Sequence, residues 1–312
     1  MRQLSRGSLY ALIALALISS SGLLMAQTAY KYRDSSGQWV FTDQAPAAAA
    51  HSDSFNVGHE NDTLHLAVDR NDEAGSMRLI AVNDCLCVVT FEVLIQQSGI
   101  AAVPTGADYR ATLPPGTRQI MVQADTGSAK PGLGYVWRAA LGSPEAAHKP
   151  PRPYRVPFDV GSTFVISQAY PSRVTHTTPD SQYAVDIALP DGTPVYAARE
   201  GTVINARHDF FRGVAAPVML DQANVIEILH DDGTIGLYAH LHWDSIRVRI
   251  GAHVVRGQYI ADSGNTGFSS GPHLHFAVIK NSGAADVSVP VQFAGIADVG
   301  VTPETQMPLT AY

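Results

Sequence analysis

Short apolar runs separated by turn-forming residues dominate the middle of the chain. Five such runs, at 64–68, 78–82, 87–95, 118–122 and 135–139, alternate with glycine- and proline-containing breaks. Strands at this spacing predict a β-sandwich over residues 54–143. No group of polar residues with catalytic spacing occurs there. We therefore expect this region to position the chain or to dock a substrate.

Two aromatic-rich runs near the N-terminus flank the turn Ser35-Ser36-Gly37. This pattern predicts a β-hairpin in a small domain over residues 27–53. The segment resembles a short domain of unknown function found near the N-termini of many exported bacterial proteins. Residues 45–54, which are rich in alanine and polar side chains, are predicted to form a linker.

Beyond a proline-rich linker at residues 144–153, residues 154–312 again have the pattern of strands joined by glycine turns. These turns contain the pairs Asp191-Gly192, Asp232-Gly233, Gly264-Asn265 and Ser270-Gly271. No amphipathic helical pattern longer than two turns occurs there. The chain is therefore predicted to be all-β.

The first 26 residues have the composition of a secretory signal peptide. Arg2 and Arg6 precede a short apolar run at 9–18, and Ala26 or Ala29 offers a small residue for cleavage. The alternative is an uncleaved anchor, but the apolar run is only about half the length needed to cross a bilayer. We expect a periplasmic or secreted protein without stable membrane insertion after cleavage.

Composition and cysteine content narrow the functional classes. Of the 312 residues 46% are hydrophobic, which is enough for packed cores, and the net charge is -7. An acidic chain without a basic cluster is a poor candidate for nucleic-acid binding.

Cys85 and Cys87 would lie about 6.6 Å apart on a regular strand, near the limit for a disulfide. A disulfide, which would need a bulge or bend, and two buried thiols therefore both remain open.

Eight of the twelve histidines lie after residue 154. His273 and His275 are two residues apart in a strand-like segment, so they project from one face, while Leu274, Phe276 and Val278 face the core. Asp186 lies within an apolar strand pattern, where a carboxylate is costly to bury unless it is paired or bound to a metal. His176 precedes it in a loop that can fold back. Two imidazoles and one carboxylate with an open fourth position are typical of a catalytic zinc site.

His240 and His242 form a further pair that is expected to share a strand face. Less specific interpretations remain for each motif, because exposed strand histidines are common and a buried aspartate often caps a turn. His230 is interpreted as a neighbour of a hairpin turn. The remaining histidines are interpreted as surface or linker residues: His51, His59, His65, His148, His208 and His253.

The order and flanks of these motifs, over residues 153–293, resemble the lysostaphin-like (LytM-type) zinc peptidases of bacterial cell walls. The segments that carry the resemblance are 183–203, with Asp186 and Gly-Thr-Pro-Val, 224–241, with Tyr-Ala-His-Leu, and 263–276, with Gly-Pro-His-Leu-His. The resemblance implies a small antiparallel β domain with an open zinc groove. It also implies that His176, Asp186 and His275 bind one Zn²⁺ ion per chain. His240 and His273 are then the catalytic histidines, and His242 has no counterpart role.

The family resemblance further implies a zinc-dependent endopeptidase that hydrolyses peptide cross-links of peptidoglycan, with its peptide stems as the partner. Zinc would activate a water molecule, and the two histidines would assist proton transfer. A D-alanyl cross-link is the first choice of substrate, and a glycine-rich bridge and a protein substrate are the alternatives. The rival function is a non-catalytic peptidoglycan-binding activator of another wall hydrolase. No ligand or catalytic histidine is missing, which argues against the inactive members of the family.

Overall fold

The computed structural model describes residues 27–33, 39–42, 53–57, 64–71, 75–126, 133–172, 174–283 and 285–312. These residues divide into two compact units, residues 1–60 and 61–312. The predicted signal peptide lies outside the described residues. Among the residues that are described, no helix is long and apolar enough to cross a membrane.

The first unit contains three antiparallel strands: β1 (Gln27–Arg33), β2 (Trp39–Thr42) and β3 (Asp53–Val57). β1 lies in the centre, between β2 and β3. The predicted hairpin is confirmed, since Tyr30 pairs with Thr42 and Arg33 pairs with Trp39. The linker predicted at residues 45–54 extends too far at its C-terminal end, because β3 begins at Asp53. A third strand gives the hairpin the additional pairing that an isolated two-stranded hairpin lacks.

The second unit begins with six strands: β4 (Leu64–Asn71), β5 (Ser76–Asn83), β6 (Val89–Ser98), β7 (Asp108–Leu113), β8 (Thr117–Asp125) and β9 (Leu133–Leu141). They form two antiparallel three-stranded sheets, β4-β5-β8 and β7-β6-β9. The two sheets contribute to one apolar cluster, to which Leu79 and Val122 belong with Phe91 and Leu113. β7 was not predicted, although its polar and apolar residues alternate and its side chains alternate between exposed and more buried positions, as in a strand with one solvated face.

The remaining strands are β10 (Thr163–Gln168), β11 (Val185–Ile187), β12 (Pro194–Tyr196), β13 (Gly201–Arg207), β14 (Val225–Leu229), β15 (Ile235–Ala239), β16 (His253–Val254), β17 (Tyr259–Asp262), β18 (Leu274–Asn281), β19 (Asp286–Ser288), β20 (Phe293–Ala294), β21 (Gly300–Val301) and β22 (Pro308–Thr310). Nine of them form one antiparallel sheet in the order β16-β13-β14-β15-β18-β11-β10-β22, with β19 beside β18. β12 pairs with β17, and β20 pairs with β21. Two single-turn 3-10 helices lie at Pro217–Met219 and Ile296–Asp298. The predicted all-β class is confirmed.

The nine-stranded sheet is buried on both faces. Tyr238, Phe276 and Val278 point into its own core. Ala277 and Ile279, on the opposite face of β18, share an apolar cluster with the β4–β9 strands. This packing makes residues 61–312 one compact unit, whereas the predicted division into domains at 54–143, 144–153 and 154–312 stays a prediction.

Candidate metal centre

Asp186 and His275 lie directly opposite each other on the adjacent antiparallel strands β11 and β18. The neighbours of Asp186, Val185 and Ile187, are buried and hold its strand in the core. Asp186 points to the other face and is 8% exposed. Its Oδ1 atom lies 2.9 Å from Nδ1 of His275. The strand register therefore brings two of the three predicted ligands together.

His176 comes from the connection between β10 and β11. The buried Gln168 at the end of β10 fixes this connection, because its amide group donates to the Thr175 hydroxyl at 2.9 Å and accepts from the Thr175 backbone N–H at 3.2 Å. The next residue, His176, is thereby directed inward and is 3% exposed. Its ring stands nearly perpendicular to that of His275, with the ring centroids 5.0 Å apart.

The three side chains fit a metal ion. One ligand atom from each of His176, Asp186 and His275 lies within 4.8 Å of the others. Nε2 of His176 lies at ion-pair distance from Oδ2 of Asp186, 3.1 Å, but neither ring nitrogen of His176 makes a hydrogen bond of regular geometry. A buried ring nitrogen without a hydrogen bond is costly, and a cation between Nε2 and the carboxylate would satisfy that nitrogen. Two imidazoles and a carboxylate are a donor set that suits zinc.

His273 and His240 stand beside this cluster. Nε2 of His273 lies 3.8 Å from Oδ1 of Asp186, and the rings of His273 and His240 have centroids 4.6 Å apart. His273 therefore shares the strand face of His275, as predicted. Nδ1 of His273 lies 2.8 Å from the carbonyl oxygen of Gly271, and Nδ1 of His240 lies 2.6 Å from that of Thr266.

These carbonyl contacts determine the tautomer of both rings. A carbonyl oxygen only accepts hydrogen bonds, so Nδ1 of His240 and of His273 carries the proton. In the neutral form, Nε2 of each ring is then an unprotonated acceptor. The arrangement therefore provides two imidazoles that can take up a proton close to the three potential ligands.

The expectation that His240 and His242 share a strand face is wrong. β15 ends at Ala239, and His240 has a φ of 63°, in the left-handed region, so the alternation of the strand does not continue. His242 is exposed, and its Nε2 lies 3.9 Å from Oδ2 of Asp191. The turn thus directs His240 towards His273 and leaves His242 outside the cluster. A left-handed backbone at a non-glycine residue is uncommon and costs free energy.

Burial and neighbouring groups shift the pKa values of Asp186 and His240. Burial alone would raise the pKa of Asp186, but the close contacts with His176 and His275 outweigh it and hold the pKa well below its usual range. Burial, and then the nearby His273 and His275, lower the pKa of His240 to about 3. At neutral pH the centre therefore contains an ionised carboxylate and a neutral His240.

The sequence interpretation missed several supporting groups. Gln168 lies at the end of β10, where a single polar residue gives no distinct signal in a sequence. Thr266 contacts His240 through its backbone carbonyl, which no side chain announces, and Oγ of Ser269 in the same loop lies 3.2 Å from Nδ1 of His273. His230 lies beside the β14–β15 turn, as interpreted, and is 3% exposed. The other histidines are separate from the centre: His65, His208 and His253 are exposed, His148 is half-buried, and His51 and His59 lie outside the described residues.

Residues 180–287 match the model of one protein family, described as Peptidase family M23. Over these residues the chain is similar to Peptidase family M23. The resemblance inferred from the motifs is confirmed over this segment. Asp186, His240, His273 and His275 lie inside the matched segment, and His176 lies four residues before it.

Two named relatives show the extent of the similarity. The peptidoglycan DD-endopeptidase ShyA of Vibrio cholerae serotype O1 is 39% identical over 94 residues, which are 30% of this chain and 19% of that protein. The glycyl-glycine endopeptidase ALE-1 of Staphylococcus capitis is 33% identical over 102 residues, 33% of this chain and 25% of that protein. The chain thus spans a quarter or less of the length of these two relatives.

Among solved structures, the catalytic domain of the antimicrobial peptidase lysostaphin from Staphylococcus simulans is 29% identical to this chain. The alignment covers 40% of this chain and 87% of that domain, with a TM-score of 0.29. Each of these three similarities covers less than half of this chain.

Proposed function

We propose that this chain is a zinc-dependent endopeptidase that hydrolyses peptide cross-links of bacterial peptidoglycan. The observation that supports it most directly is the convergence of His176, Asp186 and His275, with no regular hydrogen bond to either ring nitrogen of His176. The same residues lie in or beside the segment that matches Peptidase family M23.

In this proposal His176, Asp186 and His275 hold one zinc ion per chain. When bound, zinc supplies a Lewis acid that polarises a carbonyl oxygen and lowers the pKa of a water molecule. The carboxylate is ready for this role at neutral pH, because its pKa lies well below the usual range.

His240 and His273 carry the proton transfers. The Thr266 and Gly271 carbonyl oxygens hold the Nδ1 protons, so each neutral ring offers Nε2 as an acceptor. One imidazole takes the proton that the attacking water loses and, once protonated, gives it to the leaving amine. The other lies beside it, with 4.6 Å between the ring centroids, and can hydrogen-bond to the reacting groups.

The substrate class follows from the named relatives. ShyA is a peptidoglycan DD-endopeptidase, and ALE-1 is a glycyl-glycine endopeptidase. We propose a D-alanyl cross-link as the bond that is cut, because ShyA shares the higher identity of the two with this chain. Such a substrate requires export, so we also propose that the protein works in the periplasm or is secreted.

The test combines metal analysis with digestion of purified peptidoglycan and mass spectrometry of the products. We expect about one zinc per chain and new peptide ends at the cross-link, with neither in the Asp186→Ala variant. Bound zinc without any released product would instead favour the non-catalytic activator. Cleavage that persists in Asp186→Ala would show that hydrolysis does not depend on this centre.

A further inference from the structure

Cys85 and Cys87 lie in the bend between β5 and β6, far along the chain from the metal centre. Their side chains are buried, whereas Leu86 between them is 45% exposed. The two Sγ atoms lie 2.8 Å apart. On a regular strand, residues two apart are near the distance limit for a disulfide. The bend between β5 and β6 lets the two side chains converge.

The side chain of Asn83 holds this bend in place. Its Oδ1 accepts from the backbone N–H of Cys85, and its Nδ2 donates to the carbonyl oxygen of Cys87, both at 3.0 Å. The same Nδ2 group lies 3.0 Å from the carbonyl oxygens of Leu113 and Pro114, at the turn between β7 and β8. Asn83 is fully buried, so the two thiols are held together by the fold.

We propose that Cys85 and Cys87 are a modification site that closes to an intramolecular disulfide. The co-reactant is a disulfide oxidant, either a small-molecule disulfide or the active-site disulfide of an oxidoreductase. The thiolate of Cys85 attacks one oxidant sulfur and expels the other as a thiol, which leaves a mixed disulfide. Cys87 then loses its proton and attacks the Cys85 sulfur, which releases the second oxidant thiol. Two protein thiols and one oxidant disulfide thus become one protein disulfide and two thiols.

The opposite pKa shifts of the two thiols indicate which cysteine reacts first. The hydrogen bond from the Cys87 thiol, as the largest influence, lowers the pKa of Cys85. The same interaction, together with burial, raises the pKa of Cys87. Because the thiolate is the nucleophile in disulfide exchange, Cys85 is the residue that starts the reaction.

The bend lies close to the nine-stranded sheet. A Cβ atom added at Gly251, just before β16, would lie 3.5 Å from Cδ1 of Leu86. Gly142, which follows β9, influences the Cys87 thiol through its backbone and accepts a hydrogen bond from Asn281 of β18 at 2.8 Å. A disulfide would therefore fix the conformation of a loop at the boundary between the β4–β9 strands and the nine-stranded sheet.

The experiment exposes the purified full chain to oxidised glutathione, blocks free thiols with iodoacetamide under denaturing conditions, and measures the mass. We expect no alkylation, a mass about 2 Da below that of the reduced chain as two hydrogens are lost, and a cross-linked peptide that contains both cysteines. Two alkylated cysteines, or a disulfide between two chains, would overturn the proposal.

Cys87→Ser is the matched variant, because it retains the Cys85 thiol and changes the partner sulfur to an oxygen. We expect it to accumulate a glutathione adduct on Cys85, since the second displacement cannot occur. Complete alkylation of Cys85 without any adduct would contradict the assigned order. The circular dichroism of the reduced wild-type chain and of this variant should match, so that misfolding is not mistaken for a lack of reactivity.

Discussion

Asp186 and His275 face each other across β11 and β18, with Oδ1 and Nδ1 only 2.9 Å apart. Directly opposed residues on antiparallel strands have a separation that the sheet itself fixes. Two of the proposed ligands are therefore placed by backbone pairing, and only His176 depends on a loop. A site built largely on strands can hold its ligands without rearrangement when a metal ion binds.

Substitution of the proposed ligands should separate metal binding from proton transfer. We expect Asp186→Ala and His275→Ala to lose both zinc and activity, because each removes a ligand atom. His240→Ala and His273→Ala should keep most of the zinc and lose about 100-fold or more in rate, the usual scale for a lost proton-transfer or oxyanion partner. Elemental analysis and release of peptidoglycan fragments measure the two effects separately.

His242→Ala is the matched control for this series. His242 lies two residues from His240 but is exposed and points to Asp191 rather than to the centre. The variant should retain its zinc and nearly all of its activity. If His242→Ala abolished turnover while His240→Ala did not, the assignment of the catalytic histidines would be wrong.

Removal of the metal should leave the chain folded. The sheet that carries the ligands has its own apolar core, and the β4–β9 strands form a second cluster with its opposite face. We therefore expect a chelator to abolish hydrolysis while far-ultraviolet circular dichroism stays unchanged, and added zinc to restore the activity. Cooperative unfolding on chelation would show that the metal contributes the main part of the stability.

The sequence predicted the proposed site better than it predicted the local fold. Asp186, His273 and His275 lie on or next to strands, where a period of two correctly gives the face of each side chain. His242 was placed wrongly, because nothing in Tyr-Ala-His-Leu-His indicates the left-handed backbone at His240. β3 was missed for a different reason. A short strand with few apolar residues owes its conformation to pairing with a neighbour, which a local pattern does not contain.

Asn281 is expected to stabilise the contact between the sheet and the β4–β9 strands. It is 1% exposed, and its Nδ2 lies 2.9 Å from Oγ1 of Thr90 and 2.8 Å from the carbonyl oxygen of Gly142. Asn281→Ala would remove the buried donor of both contacts and should lower the free energy of unfolding by about 3 kcal/mol. Urea denaturation measures the change. Gln97→Ala, at an exposed position of β6, should alter it by less than about 0.5 kcal/mol.

His230 should make the stability of the chain depend on pH. It lies in the turn that joins β14 to β15, and its ring is buried. Its Nδ1 lies 2.8 Å from the carbonyl oxygen of Glu200. Burial lowers the pKa of His230 from 6.5 to about 4, while the charges of Arg199, Asp232 and Glu200 act with smaller and partly opposing effects. The unfolded chain therefore binds this proton more tightly than the folded chain does.

The stability contributed by a neutral His230 is complete above pH 6.5 and is lost as the pH falls towards 4. A shift of this size corresponds to about 3 kcal/mol. His230→Asn keeps a donor for Glu200 but cannot titrate, so its free energy of unfolding should fall less steeply than that of the wild type over this interval. Urea denaturation at a series of pH values measures both slopes, and His253→Asn at an exposed position controls for the loss of a histidine. Equal slopes for the wild type and His230→Asn would show that the buried imidazole does not control the acid sensitivity.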